Sequence, residues 1–390
     1  MTHLHIRKAA LFATIATSAV VLTACAAPAP QATDEVAETT ASTRIAITYD
    51  GGIAIVDAET LDIVGDVPLA GFNRVNPAGD GQHVLVTTAK GFEVLDTASA
   101  SLTGDVFAAT TAGHVVRHGD KTILFDDGTG DTTIFSTDDL LAGGLPETEV
   151  VGAEAAHHGV SIELENGTLL TTVGTPDERT GIRVLDASRT EIDRNEECPS
   201  VHGEGAAANE IAVFGCSDGV LVYDDGEITK IQAPDAYGRT GNQYVSETSP
   251  IAIGDYNSDP DSEGYLLSEL AIIDTVAKTS TVVDLPEGVE YTWRDVARGP
   301  NDETLLLGSD GALHVLESAT GEVTASFPVI EPWESPVEWQ DAHPALTVYG
   351  GTAYVTDAAS ASVYAVDIAS GDVIATTELP GAPIEIAVAS

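Results

Sequence analysis

His83-Val84-Leu85-Val86-Thr87, followed a short turn later by Val94-Leu95-Asp96, decides the fold. Both runs are short, rich in β-branched residues and bounded by turn formers, which marks strands rather than helical turns. The strand that ends in Asp returns as Val184-Leu185-Asp186, Ile272-Ile273-Asp274 and Ala365-Val366-Asp367, and Ala353-Tyr354-Val355-Thr356 is another strand of the same kind. No convincing amphipathic helix interrupts the series. Units begin near Phe72, Gly113, Ala156, Val201, Ser249, Thr292 and Asp341. Their spacing of about 40 to 50 residues is that of four-stranded propeller blades.

Two pieces are left over. Residues 44–66 hold only the later strands of a unit, and residues 384–388 form a strand with no unit of its own. Joined, they make one more blade, and closing the ring in this way removes both free sheet edges of an open array. The expectation is an all-β chain: a single closed β-propeller of four-stranded blades over residues 44–390. The blades number eight, or seven should the weakest unit, near Ser249, be misread.

The amino-terminal stretch has a different character. Arg7 and Lys8 precede an uncharged apolar run over residues 9–21 and then Leu22-Thr23-Ala24-Cys25. This is the order of a secretory signal with a lipobox, and the run is too short to span a bilayer. Residues 1–24 are expected to be removed, with Cys25 acylated as the new amino terminus. Residues 26–43, made largely of Ala, Pro, Thr, Glu and Asp, read as a flexible tether, so that residues 25–43 form the lipidated cysteine and linker. The expected location is the outer face of the cell membrane, with the lipid anchor as the sole membrane contact.

A formal net charge of −46, with 16 Lys and Arg in the whole chain, argues against nucleic acid, because phosphate backbones are neutralised by those residues. It favours cationic ligands. Cys198 and Cys216 remain after export, and a pair of cysteines in an oxidising compartment reads as a disulfide. The competing reading, a metal site from Cys198 and His202, needs a thiolate that oxidation would remove.

Of the ten histidines, His3 and His5 fall in the discarded segment. Five others, His114, His157, His158, His202 and His343, sit where a unit begins. In a propeller these positions lie at one rim of the central channel, where side chains from distant parts of the chain converge. Convergent neutral imidazoles suit zinc, copper, nickel or iron, and zinc accepts three histidines with a carboxylate or water completing a tetrahedron. Glu204, Asp295 and Asp341 are the nearby acids that could supply that oxygen or orient a histidine. His83, His118 and His314 fall within or after strands and read as structural. The Asp-Gly pairs, among them Asp127-Gly128, read as turns. The acidic stretch 255–261 lacks the Gly and terminal Glu of a hand-type calcium loop and reads as a solvated loop. Trp333 and Trp339, with Pro332 and Pro336, read as an ordered, buried loop over one face.

Several separated segments carry a family likeness. Phe72-Asn73-Arg74-Val75, Gly113-His114-Val115-Val116-Arg117-His118-Gly119, Phe125-Asp126-Asp127-Gly128-Thr129-Gly130, His157-His158-Gly159-Val160-Ser161 and Cys198-Pro199-Ser200-Val201-His202-Gly203-Glu204 resemble the AztD family of zinc metallochaperones. That resemblance implies a β-propeller outside the cytoplasm that binds zinc and passes it to the solute-binding protein of a zinc ABC importer. It also implies that His114, one or both of His157 and His158, and His202 belong to the zinc site. Family members can carry a His-rich segment near the mature amino terminus, and residues 26–43 contain no histidine. A second site of that kind is therefore expected to be absent.

The function read from all this is that of a monomeric zinc carrier rather than an enzyme. A surface lyase or hydrolase using the same metal, and a metal-free interaction propeller, are the rival classes. No nucleophile motif or paired-carboxylate arrangement supports the first.

Overall fold

The computed structural model describes residues 42–262 and 264–390. The signal segment, Cys25 and most of the tether lie outside the described residues.

Eight antiparallel sheets follow one another around a ring. The innermost strands of blades 2 to 8 are Val75–Pro77, Ala112–His118, Ser161–Glu163, His202–Ala207, Gln243–Tyr244, Val296–Arg298 and Ala345–Tyr349. Blade 1 takes its innermost strand, Pro383–Ala389, from the carboxyl terminus and the other three from the start of the propeller. Ile45 pairs with Val388 and Ile47 with Ile386 across that seam. Blade 1, assembled from both ends, is thus the closure anticipated from the leftover pieces. On the other side of the seam the chain is fixed from Ser42 onward: Ser42 Oγ donates to Asp57 Oδ2 at 2.6 Å, and Thr43 O accepts from Ala58 N at 3.0 Å.

Strand alternation builds the core between blades. Ile45, Ile47, Ala54 and Val56 of blade 1 face Tyr354, Val363 and Ala365 of blade 8. Their neighbours in sequence, Ala46, Ile53 and Ile55, face Val84, Val86 and Leu95 of blade 2. Side chains with a period of two therefore bury both faces of each sheet, which is why these strands read as nearly continuous apolar runs. Full burial of each such side chain contributes about 1.5–3 kcal/mol.

The recurring Asp has a local task. Asp96 Oδ1 accepts from Ala98 N at 2.9 Å, and Asp274 Oδ1 from Ala277 N at 2.8 Å. Asp186 and Asp367 cap the equivalent turns from Ser188 N and Ser370 N. Each closes the turn between the third and fourth strands of its blade, where a short carboxylate can satisfy turn N–H groups.

One unit boundary is corrected. Ser249 precedes Ile251–Tyr256, which is the second strand of blade 6. The innermost strand is Gln243–Tyr244, only two residues long and without an apolar run that alternation could reveal. The count of eight stands. Asp255 also departs from the solvated-loop reading: it is buried on a strand and accepts hydrogen bonds from Gly241 N and Asn242 N.

Candidate metal centre

His114 and His202 both lie at irregularities of an innermost strand. In blade 3 the register jumps between Ala112, opposite Asp126, and Val115, opposite Leu124, so the Gly113-His114 pair bulges out of the ladder. In blade 5 the jump falls between His202, opposite Gly215, and Glu204, opposite Phe214, leaving Gly203 as the extra residue. Bulges bend the strand and re-aim its side chains, here into the channel. Glycine is required in both: Gly203 has φ +68° and a Cβ there would strike Gly241 O, while a Cβ on Gly113 would strike the Asp127 carboxylate.

The third histidine comes from the loop ahead of Ser161–Glu163. The rings of His114 and His158 are 5.2 Å apart, those of His114 and His202 5.2 Å, and those of His158 and His202 5.1 Å. The ligand nitrogens all lie within 4.8 Å of one another. Three imidazoles from three consecutive blades thus form a nearly equilateral triangle on one wall of the channel. A tetrahedral ion with Zn–N of about 2.0–2.1 Å needs only a small inward rotation of the rings.

Two of the rings are held from behind. His158 Nδ1 donates to Asp127 Oδ2 at 2.6 Å, and His202 Nδ1 donates to Gly241 O at 2.6 Å. With Nδ1 protonated, Nε2 presents its lone pair to a metal. Burial, then the neighbouring His202 and His158, holds His114 well below the usual imidazole range. Burial likewise pushes His202 down to about 3, against its Gly241 hydrogen bond. Both are neutral at physiological pH, the state a metal requires.

The disulfide between Cys198 and Cys216 ties the segment leading into His202 to the second strand of the same blade, beside Gly215. Cys198 is therefore not a thiolate ligand.

The other candidates do not converge on the triangle. His157 is buried, its Nδ1 donating to Ala155 O at 2.9 Å and its Nε2 lying 3.1 Å from Thr172 Oγ1, with Phe125 against its ring. Both nitrogens are occupied, so it is a core residue. His343 belongs to blade 8, three blades away from either flank of the triangle, and donates from Nδ1 to Asp341 O at 2.7 Å. Burial and then Arg294 push it down to about 4. Asp295 Oδ2 accepts from Thr292 N and Oγ1 at 2.6 and 2.7 Å, a turn cap so enclosed that burial pushes it up to about 8. Asp341 Oδ2 accepts from Glu338 N at 3.0 Å. Glu204 lines a channel cavity that His114 also borders, and loss of hydration pushes its carboxyl up to about 8. His83, His118 and His314 pair with Asp80, Glu210 and Asp310, respectively.

The sequence reading missed Asp127, taken there for a turn residue, and the arginines. A cavity of about 420 Å³ opens over the triangle and is lined also by Arg74, Arg239, Trp293 and Trp339. Trp339 sits edge-on to Phe72 at 5.2 Å and 6.5 Å from Trp293, so the loop carrying it overhangs this vestibule. A second cavity of about 300 Å³, with Glu204, Arg294 and Glu385 on its walls, continues beyond His114.

No protein-family model matches the chain. It is 23% identical over 285 residues to the zinc chaperone AztD of Citrobacter koseri, an alignment covering 70% of this chain and 64% of that relative's length. The structure of apo AztD from Citrobacter koseri superposes with a TM-score of 0.72 at 19% identity, covering 89% of this chain and 97% of that one. A further crystal structure of Citrobacter koseri AztD gives a TM-score of 0.71 with 96% of that chain covered. The resemblance to the AztD family drawn from the histidine units therefore holds in sequence and in fold.

Proposed function

We propose that this chain is a zinc carrier that holds one ion between His114, His158 and His202 and hands it to the solute-binding protein of a zinc ABC importer. The observation that carries the reading is the triangle of imidazoles, two of them neutral through burial and two fixed in tautomer by Asp127 and Gly241. Three protein ligands leave the fourth position open, so an incoming imidazole can bind before the old ones leave. The similarity to a protein named as a zinc chaperone supports carriage over catalysis. In this reading Cys25 anchors a monomer to the outer face of the membrane, residues 26–43 give it reach, and the propeller site alone stores and releases the ion.

The test is zinc affinity by competition with a chromophoric chelator, followed by transfer to the acceptor. Tight one-to-one binding, lost in the His114→Ala/His202→Ala double variant with the fold intact, is expected. Transfer should outrun dissociation into buffer. Equal affinity in the double variant would overturn the site, and transfer no faster than dissociation would overturn direct hand-over. A Cys25→Ser variant should leave the membrane fraction.

A further inference from the structure

The surroundings of the triangle have the wrong sign for a bare cation site. In a chain with 62 acidic and 16 basic residues, Arg74 and Arg239 line the same cavity as the three histidines. The Arg239 guanidinium packs against Gly241, the residue whose carbonyl holds His202. Arg74 is fixed over the Trp293 ring at 5.1 Å.

These arginines are also short of partners. Among the described residues Arg239 is in ion-pair contact with no carboxylate, and Arg179, drawn by Asp127 at longer range, repels it. Arg74 has one long contact, 3.6 Å from Nε to Glu385 Oε1, and that oxygen already accepts from Arg294 at 2.8 Å. The acids of the vestibule are committed elsewhere: Asp127 to His158, and Asp255 to the Gly241-Asn242 turn and the Asn242 side chain. A divalent ion bound by three neutral imidazoles would thus add two positive charges beside guanidinium groups that lack a close carboxylate, while Glu204 lines the adjoining cavity beyond His114 rather than this one. An anion in the vestibule would balance them.

We propose that the vestibule holds its metal as a ternary complex with a small carboxylate anion, one oxygen filling the fourth coordination position and the other bound by Arg239 and Arg74. This rests on the zinc site described above. A planar carboxylate matches the guanidinium fork and is an ordinary zinc ligand. Leu267, Trp293 and Trp339 give the cavity an apolar side that suits the organic part of such an acid and offers nothing to an inorganic oxyanion.

The experiment uses the full chain loaded with cobalt(II), whose visible d–d bands report ligands at the open position. Titration with acetate should give a saturable spectral change. In Arg239→Gln and Arg74→Gln the acetate affinity should fall about tenfold or more, while cobalt affinity in anion-free buffer should hold or rise, one opposing charge having been removed. Bound cobalt with bands that ignore acetate overturns the ternary complex and leaves the histidine site standing. A response to inorganic phosphate equal to that of acetate overturns the carboxylate assignment, and acetate affinities unchanged in both variants overturn the role of the arginines. Failure of cobalt and zinc to bind at all removes both readings.

Discussion

Asp127 and His158 come from neighbouring blades and meet through a 2.6 Å hydrogen bond, Oδ2 accepting from Nδ1. The same carboxylate lies against Gly113, the residue before His114. One acid therefore sets the orientation of one proposed ligand and braces the strand of another. Asp127→Asn should lower zinc affinity about 10- to 100-fold, the usual effect of losing a carboxylate behind a metal-bound histidine. Chelator competition measures it, and thermal unfolding should be nearly unchanged. An unaltered affinity would mean that His158 needs no orienting partner.

His157 and His158 should behave as opposites. His157→Ala removes a buried ring with both nitrogens engaged and should cost about 1–3 kcal/mol of stability with little change in zinc affinity. His158→Ala removes an exposed ring and should weaken zinc binding with little effect on unfolding. Urea unfolding and metal competition on the two variants check the crossover, and a reversed pattern would exchange their roles.

That pair also shows where sequence reasoning stops. In an extended segment successive side chains point to opposite sides, so of two adjacent histidines only one can face the channel. The sequence does not say which, because that depends on the register of the loop against Phe125 and Thr172. His114 and His202 were legible because each stands at the start of an innermost strand. His343 occupies a similar position in its unit, but an eight-bladed ring puts blade 8 across a wide channel from blade 4. The fold itself was readable from strands ending in Asp and from the unmatched strands at the two ends. The short innermost strand of blade 6 was not, since two residues carry no period. Arg74 stands in one of the segments that carry the family likeness and Arg239 in none, and neither has a role legible from sequence, because their meaning lies in the acids they fail to meet.

Asp57 anchors the point where the chain enters the propeller. Burial alone would raise its carboxyl, but hydrogen bonds from Ser42, Thr60, Glu59 and the Arg44 guanidinium outweigh that and hold it at about 2. A lowered folded value means that the stabilisation is present above the unfolded value of 3.8 and is lost as pH falls through about 2. The stability gap between the wild type and Asp57→Asn should thus be full at pH 5 and shrink toward pH 2. Urea midpoints across that range test it, and a gap independent of pH would contradict it.

The Cys198–Cys216 bridge closes a loop with a sequence separation of 18 residues. In the chain-entropy account such a loop stabilises the fold by about 3 kcal/mol. The Cys198→Ser/Cys216→Ser variant should show a loss of that order in urea. Zinc affinity should also fall, because the bridge holds the segment that delivers His202. Unchanged zinc binding in a destabilised variant would confine the bridge to a structural role.

Ring closure carries the most drastic expectation. Pro383–Ala389 supplies the innermost strand of blade 1, and its pairing with Arg44–Tyr49 is the strand-to-strand seam between the two ends of the propeller. Removing residues 383–390 leaves the edge of Arg44–Tyr49 unpaired and strips Arg294 of Glu385 deep in the channel. It also uncovers Ile45 and Ile47, whose burial depends on the completed blade. A bare apolar strand edge recruits other chains. The truncated chain should therefore form soluble oligomers or precipitate rather than a monomeric ring with one thin blade. Size-exclusion chromatography decides this, and supplying residues 383–390 as a peptide should restore the monomer if the seam is what was lost. A truncated chain that stays monomeric with an undiminished unfolding midpoint would show that packing between blades, rather than strand pairing across the seam, keeps the ring closed.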